Sequence, residues 1–211
     1  MNNESTLIID NQYFINVVLL KTLVHFSNVK IELCDNWQKM SFRNRCIVAG
    51  ANGVIGLTVP VLKGRDQKGL FRSVKIDYPS KWPIQHWRTI VSCYNRSPFF
   101  EYYADSLHEV IFGEYERLFD LNVATLKWVL QCLKCSVNLS FTDQFLPQYP
   151  NFVTDYRNKF SPNNFQNIGQ PVYYPQVFEA KIGFQKNLSC IDMICCEGPN
   201  ALNLLLNSTK A

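Results

Sequence analysis

Asn52-Gly53, set between the apolar runs 45–50 and 54–61, constrains the fold more than any other feature of the chain. Both residues accept positive φ, and Asn-Gly between apolar runs is the strongest local signal for a β-hairpin turn. Just upstream lies Trp37-Gln38-Lys39-Met40-Ser41-Phe42-Arg43-Asn44-Arg45, a polar and cationic stretch studded with aromatic rings. A hairpin behind such a loop supplies the rigidity that a binding site needs.

The flanking segments extend this core. Residues 6–10 form a short apolar run and read as a buried strand, residues 11–14 as a turn, and residues 17–26 as a helix with Leu20, Leu23 and Val24 on one stripe. Residues 29–34 alternate as a second strand. Strand, helix and strand with short links imply a parallel, right-handed βαβ unit. In open α/β sheets the ligand lies beyond the carboxyl ends of the strands, so the loops 10–14 and 35–44 should converge on one crevice. Residues 73–78 alternate as a strand. Helices are expected from Ser80 or Lys81 through Tyr94, with Pro83 in the first turn, from Ser97-Pro98 through Leu107, and over residues 114–132. Residues 136–141 read as a strand. Residues 142–170, with Pro147, Pro150 and Pro162 among many amides, read as a long loop or lid. Ser189 reads as the N-cap of a late helix, and Gly198-Pro199 separates it from a short last one. The fold class is therefore α/β: a mixed, partly parallel sheet with a β-hairpin and helices clustered in the C-terminal two-thirds, in a single domain over residues 1–211.

Composition narrows the function classes. In 211 residues, 47% are apolar and 14% aromatic, enough for a sizeable core. The net charge of +4, with no run of like charges, argues against nucleic acid as a partner. The polar, acidic start of the chain lacks a signal-peptide pattern, and most of the eight cysteines sit inside apolar runs, so reduced thiols in a cytoplasmic protein are expected. No apolar run reaches eighteen residues, which argues against stable membrane insertion. The oligomeric state has no sequence signal.

Several residues could carry chemistry. Arg43 and Arg45 could fork onto a phosphate or carboxylate, with Asn44 orienting the group; the alternative is one surface charge and one packing salt bridge. In an extended loop the two arginines would share a side and Asn44 would face away. Lys39 could add a point charge or be a solvated lysine, and Gln38 and Trp37 could hydrogen-bond and stack a sugar or base, with a core position the alternative for Trp37. His86 is the best general base among three histidines, because its ordinary pKa lies near neutrality, though a core histidine bonded to backbone fits as well. Asp192 could orient a base or complete a capping box with Ser189. Cys132-x-x-Cys135 has no second pair for zinc and sits at the wrong end of its helix for a thiolate. No metal site, cofactor motif or Gly-rich phosphate loop emerges.

The order of motifs resembles the WbqC-like protein family. The matching segments include residues 37–46, Gly50-Ala51-Asn52-Gly53, His86-Trp87-Arg88-Thr89-Ile90, residues 97–103, Tyr174-Pro175-Gln176-Val177-Phe178, Ile191-Asp192 and Gly198-Pro199. Family members have a proline-flanked Tyr-x-Pro after the first strand; here Asn11-Gln12-Tyr13-Phe14-Ile15 keeps Tyr13 without the prolines. The resemblance implies a place in bacterial surface-polysaccharide (O-antigen) biosynthesis, as a group transferase moving an acyl or aminoacyl group to an amino sugar. On that reading Gln12, Tyr13, Gln38, Lys39, Arg43, Asn44 and Arg45 bind a small anionic substrate, a nucleotide sugar or acyl donor, and His86 deprotonates the amine. The missing prolines favour the alternative, a non-catalytic sugar-nucleotide or protein binding module of the same pathway.

Overall fold

A computed structural model describes residues 6–208. The apolar runs become β1 (Thr6–Ile9) and β2 (Asn28–Ile31), joined by α1 (Val17–Leu23). Asn16 caps α1, its side chain accepting from the Leu19 N–H, and every residue of α1 is buried. The helix stops at Leu23, short of the expected residue 26. The hairpin follows as β3 (Arg45–Gly50) and β4 (Gly53–Thr58). Gly50 pairs with Gly53, so the turn is Ala51-Asn52, one residue earlier than expected. Neither Ala51 nor Asn52 takes a positive φ; Gly53, the first residue of β4, does, at +127°, so glycine is needed at the exit of the turn.

The helical part comprises α2 (Trp82–Tyr94), α3 (Phe100–Phe112), α4 (Leu118–Cys132), the single-turn α5 (Glu179–Ile182), α6 (Cys190–Glu197) and α7 (Ala201–Asn207). Helix α4 starts four residues later than the apolar stripe implies, because Arg117 is held in an isolated bridge with Lys75. The expected strand over residues 73–78 is absent as such; its backbone makes only isolated bridges, Val61 with Ile76 and Lys75 with Arg117. No helix among the described residues is long and apolar enough to cross a membrane.

The remaining strands are β5 (Asn138–Phe141) and β6 (Val153–Asp155). All pairings in this sheet are parallel, in the order β5-β2-β1-β6, and the antiparallel hairpin stands apart as its own two-stranded sheet. The chain builds outward from β1 to β2 and β5, then returns to the opposite side of β1. Strand order therefore reverses between β1 and β6, the position where open α/β sheets place their ligands.

Strand β6 lies within the segment expected to be a loop or lid. Arg157, just beyond it, fixes that segment. Its guanidinium is 2.8 Å from Glu32, which follows β2, and 2.7 Å from Asp155, and donates to the Leu146 carbonyl. The rings of Phe145 and Tyr149 lie 4.9 and 4.8 Å away. Glu32 is wholly buried on its side chain. Taking away one member of a buried pair strands the other charge, at a cost of about 3–5 kcal/mol. Arg157→Met should accordingly lower the urea midpoint sharply, by a stability loss of about 3 kcal/mol or more. An unchanged midpoint would mean that the pair does not hold β6 in place.

Candidate functional site

The carboxyl ends of the parallel strands carry an unusual share of buried charge. Strand β1 runs directly into Asp10, Asn11 and Gln12, all buried. Among the described residues the Asp10 carboxylate has no ion-pair partner: Gln12 Nε2 lies 3.4 Å from each oxygen, and the main-chain N–H of Asn158 faces it. Burial raises its pKa above the ordinary carboxylate value, and nearby Arg43 offsets part of that. Arg43 is itself only 1% exposed and is ion-paired with Asp35. Asn158 Nδ2 also reaches Asp35, at 3.4 Å. The crevice between β1, β2 and β6 thus gathers the carboxyl groups of Asp10, Glu32, Asp35 and Asp155 against the guanidiniums of Arg43 and Arg157. Acidic groups outnumber basic ones there, so its interior is poorly matched to an anion.

The residues singled out from the sequence fall into three groups. Gln12 and Arg43 belong to the crevice just described. The loops after β1 and β2 do meet, since the Tyr13 N–H donates to the Phe42 carbonyl at 2.9 Å. Tyr13 and His86 form a second group. The Tyr13 hydroxyl lies 3.0 Å from His86 Nδ1, and His86 Nε2 lies 3.2 Å from the Thr58 carbonyl. A carbonyl only accepts, so the proton sits on Nε2 and Nδ1 accepts from the tyrosine. Burial lowers the His86 pKa to about 4. The imidazole is therefore neutral near pH 7 with its lone pair occupied, and it joins α2, the β1 loop and the end of β4 rather than facing a ligand. The third group is outside: Gln38 and Lys39 are exposed, and Arg45 is partly exposed with Nε 3.1 Å from Thr58 Oγ1. Asn44 Nδ2 donates to the Val59 carbonyl at 2.9 Å. The two arginines do not share a side as expected. Residues 39–44 form turns, with Met40 at φ +54°, before extension begins at Arg45, so the alternation of a strand does not apply.

Sequence reasoning missed Asp10, Glu32, Asp35, Arg157 and Asn158. The signal available was positional. Asp10, Glu32 and Asp35 each follow an apolar strand in a βαβ unit, where ligand-facing residues belong. Arg157 and Asn158 gave no signal, because β6 is only three residues long and sits among prolines and amides.

Asp192 marks a separate buried polar centre. It does not complete a capping box; the Ser189 hydroxyl caps α6 alone, accepting from the Ile191 N–H at 3.4 Å. The Asp192 carboxylate instead accepts from the Tyr94 hydroxyl at 2.8 Å, and that hydroxyl accepts from the Ala49 N–H at 3.2 Å. Helices α2 and α6 and the hairpin are tied at this point. Burial pushes the Asp192 pKa up to about 6.

The two buried groups give opposite pH dependences. For His86 the folded value lies below the ordinary one of 6.5, so its contribution is complete above pH 6.5 and lost as pH falls toward 4. For Asp192 the folded value lies above the ordinary 3.8, so its contribution is complete below pH 3.8 and lost as pH rises through 6. Denaturant titrations between pH 3 and 8 should show that His86→Gln removes part of the acid loss, and that Asp192→Asn removes part of the decline toward neutrality. Identical pH profiles for wild type and either variant would contradict that assignment.

No curated protein and no solved structure matches the chain. The model of the WbqC-like protein family matches residues 12–156, which takes in the β1 loop from Gln12 onward, the hairpin, helices α2 to α4 and the whole of β6, and leaves Asp10, Asn11, Arg157 and Asn158 outside. The chain belongs to the WbqC-like protein family.

Proposed function

We propose that the chain is a group transferase of bacterial surface-polysaccharide biosynthesis that moves an acyl or aminoacyl group onto the amine of an amino sugar, with Asp10 in the proton-accepting role first considered for His86. The family supplies the context. The observation that carries the reading is Asp10 itself: a buried carboxyl with a raised pKa and, among the described residues, no ion-pair partner, at the end of the central strand where strand order reverses. Its surplus of carboxylates suits an amine. In the transfer step the amine nitrogen bonds to the acyl carbon, the bond from that carbon to the donor's leaving group breaks, and the amine proton passes to Asp10. Lys39 and Arg45, outside the crevice, are the cations available to the donor's anionic part. The exposed turn at Asn158, held at φ +57°, covers Asp10, so ligand entry displaces that turn.

A binding role without chemistry is the second reading. Its support is that Arg43 and Arg157 are already ion-paired with internal carboxylates, with Arg43 Nη1 left without a hydrogen-bond partner among the described residues.

Calorimetric titration separates the possibilities. Wild type should bind UDP-glucosamine at least about tenfold, or about 1.4 kcal/mol, more tightly than UDP-N-acetylglucosamine, whose nitrogen is blocked. Asp10→Asn should erase that preference, and His86→Gln should keep it. A preference untouched by Asp10→Asn, or no binding of either sugar nucleotide, would count against the proposal. Amine-dependent binding with no transfer from any acyl or aminoacyl donor would favour the second reading.

A further inference from the structure

A small cavity of about 10 Å³ lies beneath the β1 loop, between the sheet and α4. Its lining combines the apolar Ile9, Ile15, Ile31 and Leu126 with the polar Asp10, Asn11, Gln12 and Asn122. Asn11 is 4% exposed and Asn122 1% exposed, and each keeps a buried side-chain oxygen with no protein partner. The orientation of the Asn122 amide is fixed by its nitrogen, which donates to the Arg43 carbonyl at 2.7 Å and reaches the Asn11 carbonyl at 3.4 Å. Turning it over would set oxygen against oxygen. One residue of α4 therefore grips both loops of the crevice, and its oxygen is left facing inward.

We propose that this cavity binds a single water molecule that donates hydrogen bonds to the side-chain oxygens of Asn11 and Asn122 and so completes the clamp between α4 and the two crevice loops. A cavity of about 10–15 Å³ is the smallest that holds a water, and a buried acceptor without a donor costs about 1–3 kcal/mol. A species of this size that satisfies two acceptors must carry two protons or a positive charge. Both oxygens belong to neutral amides, and the Asp10 carboxyl on the cavity wall already interacts electrostatically with Arg43, so an added cation would meet a guanidinium. Water fits both the size and the charge. Thr125 strengthens the same clamp, its hydroxyl donating to the Asn122 carbonyl at 2.8 Å and lying 3.4 Å from the Phe14 N–H. The site holds whatever the chain's activity, so its failure and that of the transferase reading are separable.

A high-resolution crystal structure of the wild-type chain should show one density peak within about 3.2 Å of both oxygens. In solution, water should give a nuclear Overhauser effect at the Leu126 methyls. Asn122→Leu should abolish that signal and speed hydrogen exchange of the Tyr13 amide roughly tenfold or more. If that variant does not fold, the wild-type measurements decide alone. A dry cavity, protein partners on both oxygens, or a metal ion at about 2.4 Å from them would overturn the proposal.

Discussion

The placement of Arg157 against Glu32 and Asp155 is the interaction on which the rest of the architecture depends. It joins the exit of β2 to the exit of β6 across the end of β1. Strand β6 is three residues long and could not hold its place by ladder hydrogen bonds alone. With β6 seated, β1 becomes a central strand, and the residue that follows it, Asp10, becomes buried. The raised pKa of Asp10 is thus a consequence of topology: a carboxyl group set at the end of a strand that is covered on both sides.

Burying charge is costly, and this crevice contains several charges that a smaller apolar core would avoid. The ion pairs Arg43–Asp35 and Arg157–Glu32 are nearly inaccessible to water, and Arg43 Nη1 is buried there without a hydrogen-bond partner among the described residues. Among the described residues, Asp10 is the member of the set left without a cation of its own. Stability would not require that arrangement, since an apolar residue there would avoid the desolvation. Such a position is where a functional reading gains weight, because perturbed carboxyl groups in strand-end crevices are suited to proton transfer.

Much of the fold was legible in the sequence. The βαβ start, the hairpin, the late helices and the N-cap at Ser189 follow from periodicity and local turn chemistry, and the structure contains them. The convergence of the loops after β1 and β2 was likewise readable, and the Tyr13–Phe42 backbone bond joins them. What remained hidden had a common cause. Strand β6 and Arg157 act through long-range partners, and a segment rich in prolines and amides gives no local pattern for them. His86 looked like a base because its type and aromatic neighbours were visible, whereas its two hydrogen-bond partners, Tyr13 and Thr58, come from distant parts of the chain. Arg43 and Arg45 looked equivalent until the turn at Met40 separated their environments.

On the proposed function, ligand is received at the β1–β6 crevice. Amide chemical-shift mapping of the isotope-labelled chain titrated with UDP-glucosamine checks this. The largest changes should fall on residues 10–13, 35–43 and 156–159. Changes confined instead to the surface crevice formed by Arg96, Pro98, Gln176 and Phe178 would contradict it.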